Sequence, residues 1–378
     1  MALLKILLGF LGLKSRTAPA PARRTVASAP AAKATGKEPV EHTRKPIRLP
    51  SKIDHIMDFG LAQHSPNKHW SVGYRDPGPD ASQKRQRAVH LRDNTTGQIV
   101  ATVNNLERPF SVDVSDTGIF GVNDAGQASA LSANLVIFDA TGAQVYKRAY
   151  KANLAGFSIS PCGRYVASQT CNSGNEDSFI LEIHDVAQKL VLASCTPVAG
   201  WGSEYTFETE EGELKRVFAK INHLGKFAYS PTGEFLDARK FMTTRLTKGD
   251  PWTRIRAAGE LVQTDGSDNA LQRAFGVVEA TIAAFQPGQD DRWVAGGYRL
   301  KGELLEKMNR AADAIEAYRA ALGLDSKIGV KKRLAEMEKA ASQQLLLETG
   351  TKQVAMSAPR SDGTQSLGNY ERPDRLED

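Results

Sequence analysis

The chain has 378 residues, 41% hydrophobic and 24% charged, which leaves room for two domains with tails and matches an ordinary soluble globular balance. The formal charge of +6 is unevenly placed: residues 1–57 hold eleven Lys/Arg against three Asp/Glu, and the remainder holds 38 against 40. The basicity therefore belongs to the N-terminal stretch, no basic nucleic-acid-binding surface is implied on the folded part, and no nucleic acid partner is expected.

In chain order, residues 1–16 read MALLKILLGFLGLKSR. The apolar run Ile6–Leu13 is too short to span a bilayer. Lys5, Gly9, Gly12 and Arg16 share one helical face opposite Leu and Ile, which suits a short interfacial helix on an anionic membrane surface. A signal peptide ending near Ala18-Pro19-Ala20, a transit peptide, and a disordered start are the other readings. Residues 17–50, rich in Ala, Pro, Lys and Arg, read as a disordered basic linker. Order is expected from about Ile53. Asp58-Phe59-Gly60-Leu61-Ala62 resembles the metal-binding loop of protein kinases, but nothing upstream matches that family's catalytic loop or Lys-bearing strand, so the match is read as chance.

Residues 52–246 read as an all-β domain. Asp93, Asp139 and Asp185 recur at spacings of 46 and 46 in similar strand–turn–strand contexts. A second series, Ser65-Pro-Asn-Lys, Ser115-Asp-Thr-Gly, Ser160-Pro-Cys-Gly and Ser230-Pro-Thr-Gly, recurs at 50, 45 and 70. Short strands in units of mid-forties length are the expected pattern of propeller blades. On these turns the region resembles the WD40-like β-propeller family, although no Trp-Asp pair closes a blade and no Gly-His pair opens one. An all-β sandwich with similar hairpins is the competing architecture. The irregular stretch 198–215 lengthens the last spacing. It carries Trp201 and Tyr205 as candidate partner anchors beside Glu208, Glu210, Glu211 and Glu213, or else is a solvated acidic hairpin with Trp201 packed inward.

From Asp250 the period becomes helical, so residues 250–343 read as a small all-α domain. Leu271, Phe275, Val278, Ile282 and Phe285 mark a helix capped by Ser267 or Asp268 and ended by Pro287-Gly288. Further helices are expected over 291–308, 311–324 and 326–341, with Asn309 suited to a left-handed turn. Tyr298, Gly302, Leu305, Ala314, Tyr318, Ala321, Leu322, Leu324 and Asp325 resemble a tetratricopeptide (TPR) repeat. Ser326 stands where that family has Pro, and Lys301 where Leu is common. The resemblance implies an antiparallel helix hairpin with Arg299, Glu303 and Glu306 on its groove, suited to a basic or neutral protein segment; ordinary solvated helix charges are the plainer reading. Residues 344–378 read as a disordered tail.

No standard catalytic set is present: no nucleophile elbow, no phosphate-binding glycine loop, no zinc-ligand spacing among seven His and three Cys. Cys162, Cys171 and Cys195 give no disulfide framework and suit a reducing compartment. The repeat phase of Asp93, Asp139 and Asp185 suits turn-forming roles rather than a carboxylate cluster. The fold expected is multidomain α+β, a propeller-like β domain followed by a TPR-like helical domain. The function expected is a non-catalytic protein–protein interaction scaffold, with protein partners, no cofactor and no metal. It is expected in the cytoplasm, with membrane association through residues 1–16, or exported or organelle-targeted by them. The alternative is a propeller-type hydrolase or small-ligand binder with loop His and Asp at the centre of the β domain.

Overall fold

A computed structural model describes residues 60–75, 88–126, 131–286 and 292–356. The readings made for residues 1–16, for the linker 17–50 and for the last part of the tail lie outside the described residues. Two compact units divide between Asp250 and Pro251.

The first unit is four antiparallel sheets in chain order. The first contains β1 (Gly60–His64), β2 (Trp70–Arg75), β3 (Val89–Asp93) and β4 (Ile99–Val103). The second contains β5 (Pro109–Val114), β6 (Phe120–Asp124), β7 (Ala133–Phe138) and β8 (Gln144–Tyr150). The third contains β9 (Asn153–Ile159), β10 (Tyr165–Cys171), β11 (Leu181–Asp185) and β12 (Leu190–Cys195). The fourth has three strands, β13 (Glu204–Glu210), β14 (Glu213–Ile221) and β15 (Gly225–Tyr229). Within each sheet every strand pairs with its neighbours in chain order, so every sheet is a simple meander.

The sheets stack face on face. Val72, Leu91 and Val103 meet Val114, Phe120 and Phe138 between the first and second. Leu135, Ile137 and Tyr146 meet Leu154, Ile159 and Val166 between the second and third. Tyr165, Leu181 and Ile183 meet Tyr205, Val217 and Tyr229 between the third and fourth. The middle sheets are thus covered on both faces, which is why β6, β10 and β11 are buried at every residue rather than at alternate ones.

The two turn series give the sheets their common frame. Asp93, Asp139 and Asp185 all sit between a third and a fourth strand. Asp93 accepts the Thr95 N–H at 2.7 Å, Asp139 accepts those of Thr141 and Ala143 at 2.9 and 3.1 Å, and Asp185 accepts that of Gln188 at 3.0 Å. These are carboxylates closing turns. The Ser65, Ser115 and Ser160 turns each join a first strand to a second. Their fourth residue needs a left-handed backbone: Gly118 and Gly163 hold φ of 84° and 80°, and Lys68 takes 63° without that freedom. The Ser230 turn forms the same loop but out of phase, after the third strand β15, and leads to a single bridge between Tyr229 and Phe235. It is not a fourth copy at the same position, which is why its spacing is 70.

Strand structure also stops before the expected limit of 246. α1 (Ala238–Lys248) follows β15 and seats Phe241 against Phe227 and Phe235, at ring-centroid distances of 4.9 and 5.6 Å.

The second unit is helical: α2 (Pro251–Thr264), α3 (Asp268–Ala283), α4 (Arg292–Lys307), α5 (Ala311–Leu324) and α6 (Lys331–Met356). The sequence reading missed α2, whose Pro251 occupies the first helical position, where its missing N–H costs nothing. Its small residues Ala257, Ala258 and Gly259 carry little apolar signal. Ser267 caps α3 by accepting the Ala270 N–H at 3.2 Å, and Asn309 takes φ of 59° between α4 and α5. Glycines let the helices close: a Cβ on Gly297 would lie 2.9 Å from Ile255 on α2, and one on Gly302 would lie 2.5 Å from the Tyr318 ring on α5. α6 runs through Met356, so the first part of the expected disordered tail is helix.

Candidate functional site

Because the sheets are meanders, their two ends differ. One end carries the compact Ser and Asp turns. The other carries the longer connections: residues 172–180 between β10 and β11, and 196–203 between the third and fourth sheets. On these two connections Phe179 and Trp201 face solvent, at 44% and 49% exposure. Their rings lie 5.1 Å apart with planes tilted by 33°.

Both loops are held from below. Phe179 takes φ of 60°, a left-handed conformation that a bulky residue rarely adopts. The backbone is fixed there because Thr170 N donates to the Ile180 carbonyl at 3.0 Å and Ile180 N donates to the Thr170 hydroxyl at 3.2 Å. Gln169, 1% exposed, pins the Trp201 loop: it accepts the Gly202 N–H at 3.1 Å and the Tyr205 hydroxyl, and donates to the Gly200 carbonyl.

This corrects the pairing of Trp201 with Tyr205 as surface anchors. Tyr205 is buried between the third and fourth sheets with its hydroxyl on Gln169, so it supports the loop and offers no face to a partner. Trp201 is exposed, not packed inward, and its surface companion is Phe179 from the neighbouring loop. Sequence reasoning missed Phe179 because it reads as the start of an apolar strand; only its positive φ turns it outward. Glu208 and Arg216 pair across the hairpin at 2.8 Å, and Glu204 with Lys220 at 2.9 Å.

The helical candidates are bound up within their own unit. Arg299 donates to Glu303 at 2.8 Å and reaches the Ile328 carbonyl. Glu306 accepts from Arg333 at the start of α6 and from the Tyr318 hydroxyl, and Arg333 is the leading cause holding its carboxyl below the usual range against the opposing effect of burial. Arg299 and Glu303 lie on the surface, whereas Glu306 ties α4 to α5 and α6. A cavity of about 310 Å³ lies between α3, α4 and α5, with Lys301 bridging to Glu279 at 2.8 Å.

A dense group of polar side chains lies between the second and third sheets. His184 is fully buried; its Nδ1 lies 3.0 Å from the Tyr146 hydroxyl and its Nε2 lies 2.8 Å from the Ser168 hydroxyl. Tyr150 donates to Glu182 at 2.8 Å, and Arg148 clamps both Glu182 oxygens at 3.0 Å. Burial pushes His184 down to about 4, so its ring is neutral and offers one N–H and one lone pair to its two neighbours. Burial alone would raise Glu182, but the Arg148 hydrogen bonds hold it below the ordinary range. The Ser168–His184 contact is not a nucleophile and base: Glu182 stands on the same ring nitrogen as Ser168, and no substrate reaches any of the three. The network joins two sheets.

The inner strands are linked in a similar way. Asp113 on β5 accepts the Ile159 N–H of β9 at 2.7 Å, and Ser158 on β9 accepts the Tyr205 N–H of β13 at 3.0 Å. Burial raises the Asp113 carboxyl to about 6. The folded state therefore prefers protonated Asp113, and this contribution to stability is full below about pH 4 and lost as pH rises through 6. His184 acts in the opposite sense, contributing above its ordinary value and losing that contribution as pH falls towards 4. The two oppose each other between pH 4 and 6.5. We expect Asp113→Asn to be stabilised relative to the native chain as pH rises from 4 to 7, by up to about 3 kcal/mol for a two-unit shift. Urea unfolding at a series of pH values measures it, and a pH-independent difference between the two proteins would show that Asp113 titrates normally.

Among the described residues, no group of three or more His, Cys, Asp or Glu is placed to hold a metal ion, and no helix is long and apolar enough to cross a membrane.

No known protein family matches the chain, and no curated protein does. Among solved structures, the chain is similar to hydrazine synthase of Kuenenia stuttgartiensis at 17% identity, covering 42% of this chain and 49% of that one with a TM-score of 0.29. It is similar to BamB of Moraxella catarrhalis at 16% identity, covering 46% and 47% with a TM-score of 0.30. It is similar to a chain of the mitotic checkpoint complex at 10% identity, covering 45% and 47% with a TM-score of 0.30. The chain spans about half the length of each of these structures.

Proposed function

We propose that this chain is a non-catalytic protein–protein interaction scaffold. In this reading the four sheets are successive propeller-type blades, and α2 to α6 are a TPR-like helical module joined to them. The observation that carries the proposal is the exposed Phe179–Trp201 pair, held outward on a constrained backbone and supported by the buried Gln169 and Tyr205. Exposed aromatic side chains on rigid supports are the residue types that anchor protein partners. Arg299 and Glu303 offer a second, charged contact surface on the helical module. The alternative of a hydrolase or small-ligand site finds less support, because of the two close Ser–His pairs Ser168–His184 is sealed between sheets, and in His64–Ser71 the buried Ser71 hydroxyl donates to Asn94 at 2.8 Å rather than to the histidine.

The test is affinity capture from native lysate by the full-length chain, run beside Trp201→Ala, Phe179→Ala and Arg299→Glu. Removing an aromatic anchor is expected to weaken a captured partner by about 2 kcal/mol, roughly thirtyfold in affinity. A set of captured proteins unchanged by all three substitutions would sink the reading.

A further inference from the structure

The Phe179–Trp201 surface has a candidate occupant in the chain itself. β1 runs from Gly60 towards the Ser65 turn, so the polypeptide joins the first sheet at the end opposite the Ser and Asp turns. That is the end where residues 172–180 and 196–203 lie. Whatever precedes Gly60 is therefore delivered to the same end of the sheets as the aromatic pair.

Residues 17–50, which lie outside the described residues, have the composition that exposed aromatic rings bind. They include six prolines (Pro19, Pro21, Pro30, Pro39, Pro46 and Pro50) and seven Lys/Arg, against two Asp/Glu. Proline rings stack on Trp and Phe with little loss of conformational freedom, and guanidinium groups such as Arg23 and Arg24 stack on the same rings. The reach is sufficient. Face-packed sheets lie about 10 Å apart, so the third sheet is roughly 20 Å from the first. The nine residues between Pro50 and Gly60 can span at most about 30 Å.

We propose that the Ala/Pro-rich basic segment 17–50 of this chain docks on the Phe179–Trp201 surface, so that a partner protein must displace it. This rests on the reading of the aromatic pair as a docking surface. Tethering makes the contact intramolecular, so even a weak peptide contact is populated through its high effective concentration.

The test is limited trypsin digestion of the full-length chain, following cleavage after Arg23, Arg24, Lys33 and Lys37 by mass spectrometry. Cleavage tracks the undocked fraction, so a segment docked nine-tenths of the time is cut about tenfold more slowly than a free one. The expected result is about a tenfold acceleration in the Phe179→Ala/Trp201→Ala protein. The same acceleration is expected when Pro19, Pro21 and Pro30 are changed to Ala, which leaves the sheets untouched. Equal rates in all three samples overturn the proposal. So does acceleration by the aromatic change alone, which would report disturbed loops. If the rates are equal while Trp201→Ala still loses its captured partner, the docking surface stands and this occupant falls.

Discussion

Arg148→Met is expected to destabilise the β unit by about 3–5 kcal/mol, because it leaves Glu182 charged and unpaired between two sheets. Glu182 is 3% exposed, and both its oxygens are held by Arg148 at 3.0 Å. Met can fill the aliphatic stem's place but supplies no donor, and Tyr150 can satisfy only one oxygen. The carboxylate then takes up a proton or draws in water, and either change disturbs Ser168 and His184. Replacing both partners, Arg148→Met with Glu182→Leu, removes the stranded charge and should recover much of the loss. Urea unfolding followed by far-UV circular dichroism measures all three proteins. A double variant no better than the single one would mean that the network, and not the stranded carboxylate, sets the effect.

Gly302→Val is expected to cost the helical unit about 3 kcal/mol or more. A Cβ at Gly302 falls 2.5, 2.7 and 2.8 Å from three atoms of the Tyr318 ring. Tyr318 cannot give way: it is 2% exposed, and its hydroxyl is engaged by Glu306, which Arg333 also holds. Overpacking of this kind costs about 1–3 kcal/mol, and a β-branched side chain has no rotamer that retreats from the contact. Gly323, on the same hairpin, has open space around its Cβ position. Gly323→Ala should therefore stabilise α5 by about 0.5–1 kcal/mol. Thermal melts at 222 nm compare the two, and opposite signs are the expected result. If Gly302→Val left the melt unchanged, α4 and α5 would not be in close contact.

The periodicities in the sequence carried far. The Asp93, Asp139 and Asp185 spacing marked three equivalent strand–turn–strand positions because each unit repeats a local hydrogen-bonded turn, which sequence alone can specify. Ser267 and Asn309 were legible for the same reason: capping and left-handed turns are short-range chemistry. The Ser230 turn was misplaced because an identical turn can join different strand pairs, and only strand pairing reveals which. The helix α1 was read as strand because its few apolar residues, Phe241 and Leu246, do not make a clear helical stripe.

At the candidate site, Trp201 was found and Phe179 was not. Exposure of an aromatic residue depends on which way the backbone turns it and on what packs beneath, and neither Gln169 nor Thr170 announces that role in one dimension. Tyr205 shows the converse, since its place beside Trp201 in the chain says nothing of the buried carboxamide that receives its hydroxyl. By itself, then, the sequence determined the β-then-α order, the repeat length, the local turns and several helix limits, because these rest on interactions between residues a few positions apart. Tertiary structure alone decided which aromatic groups face solvent, which carboxylates are closed into networks, and that Ser168 and His184 meet where no substrate can reach, because burial is set by segments distant in the chain packing against one another.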